Sequence, residues 1–311
     1  SALNLPMPSY KTIQRNKDRF FGPGGKGMEV MMEAERLLGG RRVDFDPTMF
    51  LDSGICPEYS APQKIPVCEA DVLEQAEKDA KAAEIRRSMA VKVNKEYIGK
   101  EAECALDGSG VGTKGSGIYI ELVWSLNKRN FIKQHVLLDV RTQKVVSFSI
   151  TPEAPGDARV MPAIVRGTLK MGVCLVRLLA DGAYDTVANW MLIEEIDLDF
   201  NPNLKEKFKD DKDLVTRHAL RMIEEALGKE RHHRISGYNM RWLVESFFSV
   251  IKKLYGERVK DRLFRMMAIS MTIRYTLYNI RRGYILRFVD EHCELDERLE
   301  VINRQEVMAD L

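Results

Sequence analysis

The segment from Tyr238 to Gly256, YNMRWLVESFFSVIKKLYG, concentrates the groups most able to do chemistry. On an α-helix, at about 100° per residue, Arg241, Glu245 and Lys252 fall within roughly 40° of one another. Tyr238 lies on the adjoining edge if the helix extends to it. The opposite side carries Leu243, Val244, Phe247, Val250, Ile251 and Leu254. One face is therefore built for burial, and the other aligns a carboxylate between two cations. Taken alone, an Arg four residues before a Glu is the pattern of a surface ion pair of small worth. Two further acids stand where apolar runs end in turn residues: Asp107 in ECALDGSG and Asp181 in VCLVRLLADGAYD. Carboxylates on rigid elements suit hard divalent cations, and flanking Arg and Lys suit phosphate.

The elements that must hold these groups can be read from periodicity and turn signals. Glu103–Ser109 is a short apolar run of strand type, followed by strands Phe131–Val140 and Lys144–Thr151, which are joined by a hairpin-like turn at Arg141–Gln143. A helix over Asp157–Met171 precedes a buried strand over 173–182 that ends at Asp181. Tyr184–Glu195 reads as helix, Ile196–Phe200 as a short strand and Lys205–Lys229 as a polar, helix-rich stretch. Two long helices follow, about 239–255 and 259–282. The first hundred residues differ. Pro8–Phe20 reads as a short basic helix with Ser9 as its N-cap, and Met28–Leu38 as a second. Asp44–Pro66 is turn-rich, and Ala70–Ala90 is a charged connecting helix.

Several other residues have plain structural readings. Asp157 and Asp185 suit the first turns of helices, where an acid satisfies free N–H groups. His135 reads as a hydrogen-bonded core residue or one facing the site, and His232–His233 as surface. Trp124, Trp190 and Trp242 read as core, and Met266, Met267 and Met271 as helix packing. Cys104 and Cys174 sit in apolar runs as small buried hydrophobes. Cys56 and Cys68 share a Pro-containing stretch, but no CxxC pair exists to hold zinc.

Composition bounds the class. The 311 residues are 45% hydrophobic and 30% charged, with no run approaching the ~18 apolar residues of a membrane span. No secretory signal opens the chain, which points to a cytoplasmic setting. The net charge is only +2, yet between Arg231 and Arg287 thirteen Lys and Arg face just Glu245, Glu257 and Asp261. Such a stretch either neutralises nucleic-acid phosphates or forms a solvated helix surface.

Tyr238-x2-Arg241-x3-Glu245-x6-Lys252 resembles, without a gap, the Y-(2)-R-(3)-E-(6)-K signature of prokaryotic insertion-sequence DDE transposases. LDGSG at 106–110 and LADGAYD at 179–185 are similar to the family's two aspartate blocks. Lys133-x-His135, Asp139, Thr142 and Asp157 resemble what lies between them. The resemblance runs from about 103 to 280. It implies an α/β fold: an RNase H-like mixed-sheet core over 101–290, with a helical insertion before the final catalytic helix. A mostly helical or irregular DNA-binding or dimerisation region and linker (1–100) precede it, and a tail (291–311) follows. It implies that Asp107, Asp181 and Glu245 are the catalytic, metal-binding residues, converging within about 4–7 Å around two Mg2+ ions (Mn2+ as substitute) ~3.5–4 Å apart. Tyr238, Arg241, Lys252, Lys253 and Arg258 would contact DNA, and Gly108 and Gly110 would admit its backbone. The implied partners are double-stranded transposon ends with their terminal inverted repeats, target DNA and a second copy of the chain. No membrane is involved, and the setting is the prokaryotic cytoplasm at the nucleoid. A domesticated DNA-binding derivative, or a nuclease without strand transfer, is the alternative.

Overall fold

The computed structural model describes residues 48–58, 80, 83–113, 131–152, 156–206, 208, 214–261 and 263–292. The helices read over Pro8–Phe20 and Met28–Leu38 lie outside these residues, as do Trp124, Cys68 and Cys293. Of the connecting helix read over Ala70–Ala90, residues 80 and 83–88 are described and are helical.

Among the described residues eight strands form one mixed sheet: β1 (Phe50–Asp52), β2 (Lys92–Asn94), β3 (Glu101–Thr113), β4 (Phe131–Asp139), β5 (Val145–Pro152), β6 (Cys174–Ala180), β7 (Asp199–Pro202) and β8 (Arg258–Val259). Their order is β1-β2-β5-β4-β3-β6-β7, with β8 paired to β3 off this path. β3, β4 and β5 form an antiparallel meander. β6 and β7 then join parallel to β3 and to each other. The crossovers are α1 (Asp157–Lys170) between β5 and β6, and α2 (Val187–Ile196) between β6 and β7. A helical insertion, α3 (Val215–Leu227) and α4 (Lys229–Ile235), leads to α5 (Trp242–Tyr255) and the long α6 (Phe264–His292). The five-strand core β5-β4-β3-β6-β7 is the RNase H-like arrangement.

Burial explains why the central strands are apolar nearly throughout. β5 is buried at every position and β4 at seven of nine, because helices cover both faces of the sheet. With a side-chain period of two, Cys104 and Leu106 of β3 enter one cluster with α1 and α2. Ala105 and Val111 enter the other, with Leu243, Val244, Phe247 and Ile251 of α5 and Met267, Met271 and Tyr275 of α6. The α5 face read from the sequence is thus the buried one, except that Leu254, in the last turn, is exposed.

The boundaries moved where local chemistry decides them. α2 runs on to Ile196 and is stopped by Asp197 in the left-handed region at φ 53°, its N–H bonded to the Ile193 carbonyl. The short strand expected at Ile196–Phe200 therefore starts only at Asp199. Residues 258–259, expected near the start of the last helix, pair instead with Gly112 and Thr113 as β8. Two three-residue strands from ahead of residue 101, β1 and β2, extend the sheet beside β5, with Met49, Phe50, Ile85 and Met89 in the core. Among the described residues no helix is long and apolar enough to cross a membrane.

Candidate active site

The ladder between β3 and β6 ends with the pair Leu106↔Ala180, and the next residue on each strand is an aspartate: Asp107 and Asp181. β6 stops there, while β3 continues and takes β8 as its partner only from Gly112. Asp181 therefore stands just past the carboxyl end of β6, beside Asp107 in the middle of β3, at the point where β3 loses its parallel neighbour. By strand alternation Asp107 lies on the same side as Ala105, the side packed against α5. There Arg241 lies between two acids, its Nη1 3.7 Å from Asp107 Oδ2 and its Nη2 2.6 Å from Glu245 Oε1. Asp181 caps the short 3-10 turn Gly182–Tyr184, its carboxylate accepting from the Ala183 N–H.

Electrostatics ties the group together. The Asp107 carboxyl is pushed up to about 6, chiefly by burial and further by the charges of Asp181 and Glu245. The Gly108 N–H, which donates to Asp107 Oδ1 at 2.7 Å, and the Arg241 charge pull the other way and lose. Burial also raises the Tyr238 phenol, against the pull of Arg241, whose guanidinium carbon lies 5.9 Å from its ring centre. The site thus holds a surplus of negative charge that one arginine only partly offsets. The three carboxyl groups do not close on a common point: among the described residues no three His, Cys, Asp or Glu side chains form a metal-ligand group. The Glu245 carboxylate is turned to Arg241.

The basic residues are spread out. Tyr238 and Arg241 form the 3-10 turn that leads into α5, directly beside the acids. Lys252 and Lys253 are on α5, the former seven residues beyond Glu245, about 10 Å along the axis. Arg258 is exposed on β8, opposite Gly112, roughly 17 Å along β3 from Asp107.

Several neighbours differ from their sequence reading. Asp185 does not cap α2; Thr186 does. Asp185 is buried instead, gripped by Arg217 of α3 through Nε–Oδ1 and Nη2–Oδ2 bonds of 2.9 Å each. It also accepts from the Trp190 indole at 2.7 Å and the Lys205 N–H at 2.8 Å. Burial raises its carboxyl, but these bonds outweigh burial and hold it below the ordinary range. Arg217 was missed because nothing local marks one polar residue of a polar helix as buried.

Asp157 opens α1 without capping it, its Oδ1 3.3 Å from Lys133 Nζ and 3.4 Å from His135 Nδ1. His135 is wholly buried and bonds Thr151 Oγ1 at 2.9 Å; burial lowers it to about 4, so it is a neutral core histidine. This cluster leaves no room for a side chain at position 108: a Cβ there would stand 2.8 Å from Asp157 Oδ1. At Gly110 a Cβ would meet the Phe131 ring at 3.4 Å.

His232 is buried rather than on the surface, and the His233 ring lies 4.2 Å from that of Tyr238. Trp190 is core, as read, but Trp242 is exposed at the start of α5. Cys104 is buried, whereas Cys174, at the edge of its run, is exposed.

No curated protein and no solved structure matches the chain. A family model, the transposase DDE domain, matches residues 99–280 of the 311, more than half of the chain. That span starts just before β3, ends within α6, and contains Asp107, Asp181, Glu245 and the turn that carries Arg241. The chain therefore belongs to the transposase DDE domain family.

Proposed function

We propose that this transposase cleaves DNA at the ends of an insertion sequence of the Y-(2)-R-(3)-E-(6)-K group and transfers the freed strand to a target. In this reading Asp107, Asp181 and Glu245 hold two Mg2+ ions. The observation that carries it is the Asp107 carboxyl, pushed up to about 6 by burial and by the charges of Asp181 and Glu245. Two more acids near a half-buried aspartate destabilise its anion, and a divalent cation relieves that cost. The oxygen-only donor set, with Asp107 within β3 and Asp181 just past the end of β6, fits Mg2+. Bringing all three carboxyls onto the ions requires Glu245 to leave Arg241. Its exposed position on the first turn of α5 leaves it free to change rotamer.

Divalent ions held there supply activation of the attacking oxygen and stabilisation of the leaving oxygen in an in-line displacement at phosphorus. Asp107, on the central strand, is the rigid ligand, and Glu245 is the adaptable one. Arg241, already the positive partner of both acids, is placed to take the scissile phosphate with its planar fork. Tyr238, backed by the His233 ring, offers its face or hydroxyl to the cleaved end. Lys252, Lys253 and Arg258 follow the duplex away from the centre as phosphate contacts. Two ends must be paired for transfer, so the working unit is a homodimer on DNA, at the nucleoid of a prokaryotic cytoplasm.

The test is a Mg2+-dependent assay on a duplex carrying the element's own terminal repeats. Asp107→Ala and Glu245→Ala each abolish cleavage and leave DNA binding largely intact. Metal-independent cutting, or full activity in either variant, would refute the mechanism.

A further inference from the structure

α3, in the insertion between β7 and α5, turns charged residues inward and apolar ones outward. Arg217 and Glu224 are buried, while Val215, Met222 and Ile223 are exposed. Directed bonds therefore carry much of its seating. The Arg217 fork makes two 2.9 Å bonds to Asp185, its Nη2 donates to the Lys205 carbonyl at 3.2 Å, and its guanidinium lies 3.6 Å over the Phe208 ring. Lys205 closes the knot, its N–H on Asp185 Oδ2 and its Nζ on the Asp185 carbonyl at 3.0 Å. Asp185 in turn ends the short turn that Asp181 opens. The Asp185 N–H donates to the Gly182 carbonyl at 3.2 Å, the Tyr184 N–H to the Asp181 carbonyl at 3.1 Å, and the Ala183 N–H to the Asp181 carboxylate. Pairing with β7 fixes the chain as far as Ala180; beyond it, this turn decides where the Asp181 carboxylate points. The turn also fits closely, since a Cβ on Gly182 would stand 3.0 Å from the Asn203 carbonyl oxygen.

We propose that Arg217 is a positioning residue for Asp181: by fixing Asp185 at the far end of the turn, it sets how tightly the site takes a divalent cation. The proposal rests on the reading that Asp181 holds such an ion. A buried ion pair is a poor device for stability alone, because a well-packed apolar pair of similar volume is often as stable. What the planar fork supplies is direction, two parallel bonds that admit one orientation of the carboxylate. The Asp185 carboxyl is buried yet held below the ordinary range, so it stays an anion and keeps that grip. Groups one step behind the metal ligands typically govern affinity by about 10–100-fold. The insertion, which brings no carboxylate to the ions itself, thus controls the second acid of the site from behind.

Thermal midpoints of the full chain against Mg2+ concentration, at pH 8 and without DNA, test this. Arg217→Lys keeps the charge and loses the fork. Arg217→Met with Asp185→Asn removes the pair without leaving a buried charge. In both, the Mg2+ concentration needed for a given rise in midpoint increases about tenfold or more. Tyr97→Phe is the control for stability alone. It removes a buried hydroxyl that bonds Asp139 at 2.9 Å and Thr142 at 2.6 Å, toward the other end of β3. It lowers the midpoint in EDTA and leaves the Mg2+ dependence unchanged. A double variant with the parent's Mg2+ dependence, or a loss in Tyr97→Phe as large as that in Arg217→Lys, would overturn the positioning role. The two failures are separable. A parent that Mg2+ does not stabilise overturns the metal reading and this role with it, whereas a responsive parent beside equally responsive variants overturns the role alone.

Discussion

Replacing Asp107 by Asn should stabilise the protein at neutral pH while removing its activity. The carboxyl is pushed from the ordinary 3.8 of an aspartate to about 6, a difference of about 2.2, chiefly by burial. At 1.36 kcal/mol per pKa unit, ionising it in the folded state costs about 3 kcal/mol. The sign follows from proton counting: between about pH 4 and 6 the folded state binds more protons than the unfolded one, so this group's contribution falls as pH rises. His135 works in the opposite direction. Burial lowers it to about 4 from 6.5, so its contribution is lost as pH falls through that window. The two groups' pH dependences are opposite in sign and largely offset each other between about pH 4 and 6.5. Asp107→Asn removes one of the two opposing groups. Its stability relative to the parent should rise by about 3 kcal/mol between pH 4 and 8, roughly 6–12 °C in thermal midpoint. Scanning calorimetry of both proteins across that range in EDTA measures it. A midpoint difference that is the same at pH 4 and pH 8 would refute the claim that Asp107 is strained by burial and its acidic neighbours.

Millimolar Mg2+ should raise the midpoint of the parent at pH 8 by mass action and leave Asp107→Asn unmoved, read in the same instrument. Arg217→Met should destabilise by about 3–5 kcal/mol, because Asp185 stays buried without its partner; urea unfolding reads this, and adding Asp185→Asn should recover much of the loss. Gly108→Ala should cost about 1–3 kcal/mol by driving a methyl group onto Asp157, and Asp157→Ala in the same chain should relieve it. Lys252→Ala should weaken binding to all duplexes alike and reduce the salt slope of log K by about one, as titrations at several salt concentrations would show.

The sequence carried the core strands well because their signal is strong: β4 and β5 are almost wholly buried and read as continuous apolar runs. β1 and β2, three residues each, are too short to show a period, and only pairing with β5 makes them strands. At the site, the helical spacing of Arg241 and Glu245 translated directly into their ion pair, because both are set by one local geometry. The meeting of Arg241 with Asp107 depends on the packing of α5 across β3, which no local pattern encodes. The same limit hid the Asp185–Arg217 bond, whose partners are 32 residues apart, and the inverted faces of α3. Gly108 was legible as special, but that its missing side chain makes room for Asp157 depends on packing no local pattern encodes.

β3 has two successive partners on one edge, β6 up to Leu106 and β8 from Gly112, and α5 with Glu245 lies in the chain between them. During synthesis this imposes a sequence of events. Domains fold as the chain emerges, N-terminal parts first, at about 5–20 residues per second. A nascent chain that has released β3 to β7 carries the first two aspartates, but it lacks Glu245, Arg241, the strand β8 and the helices α5 and α6 that cover one face of the sheet. The last of the three acids thus enters the fold only together with the strand that fastens its helix to β3, so the group is assembled late, when the chain through β8 is complete.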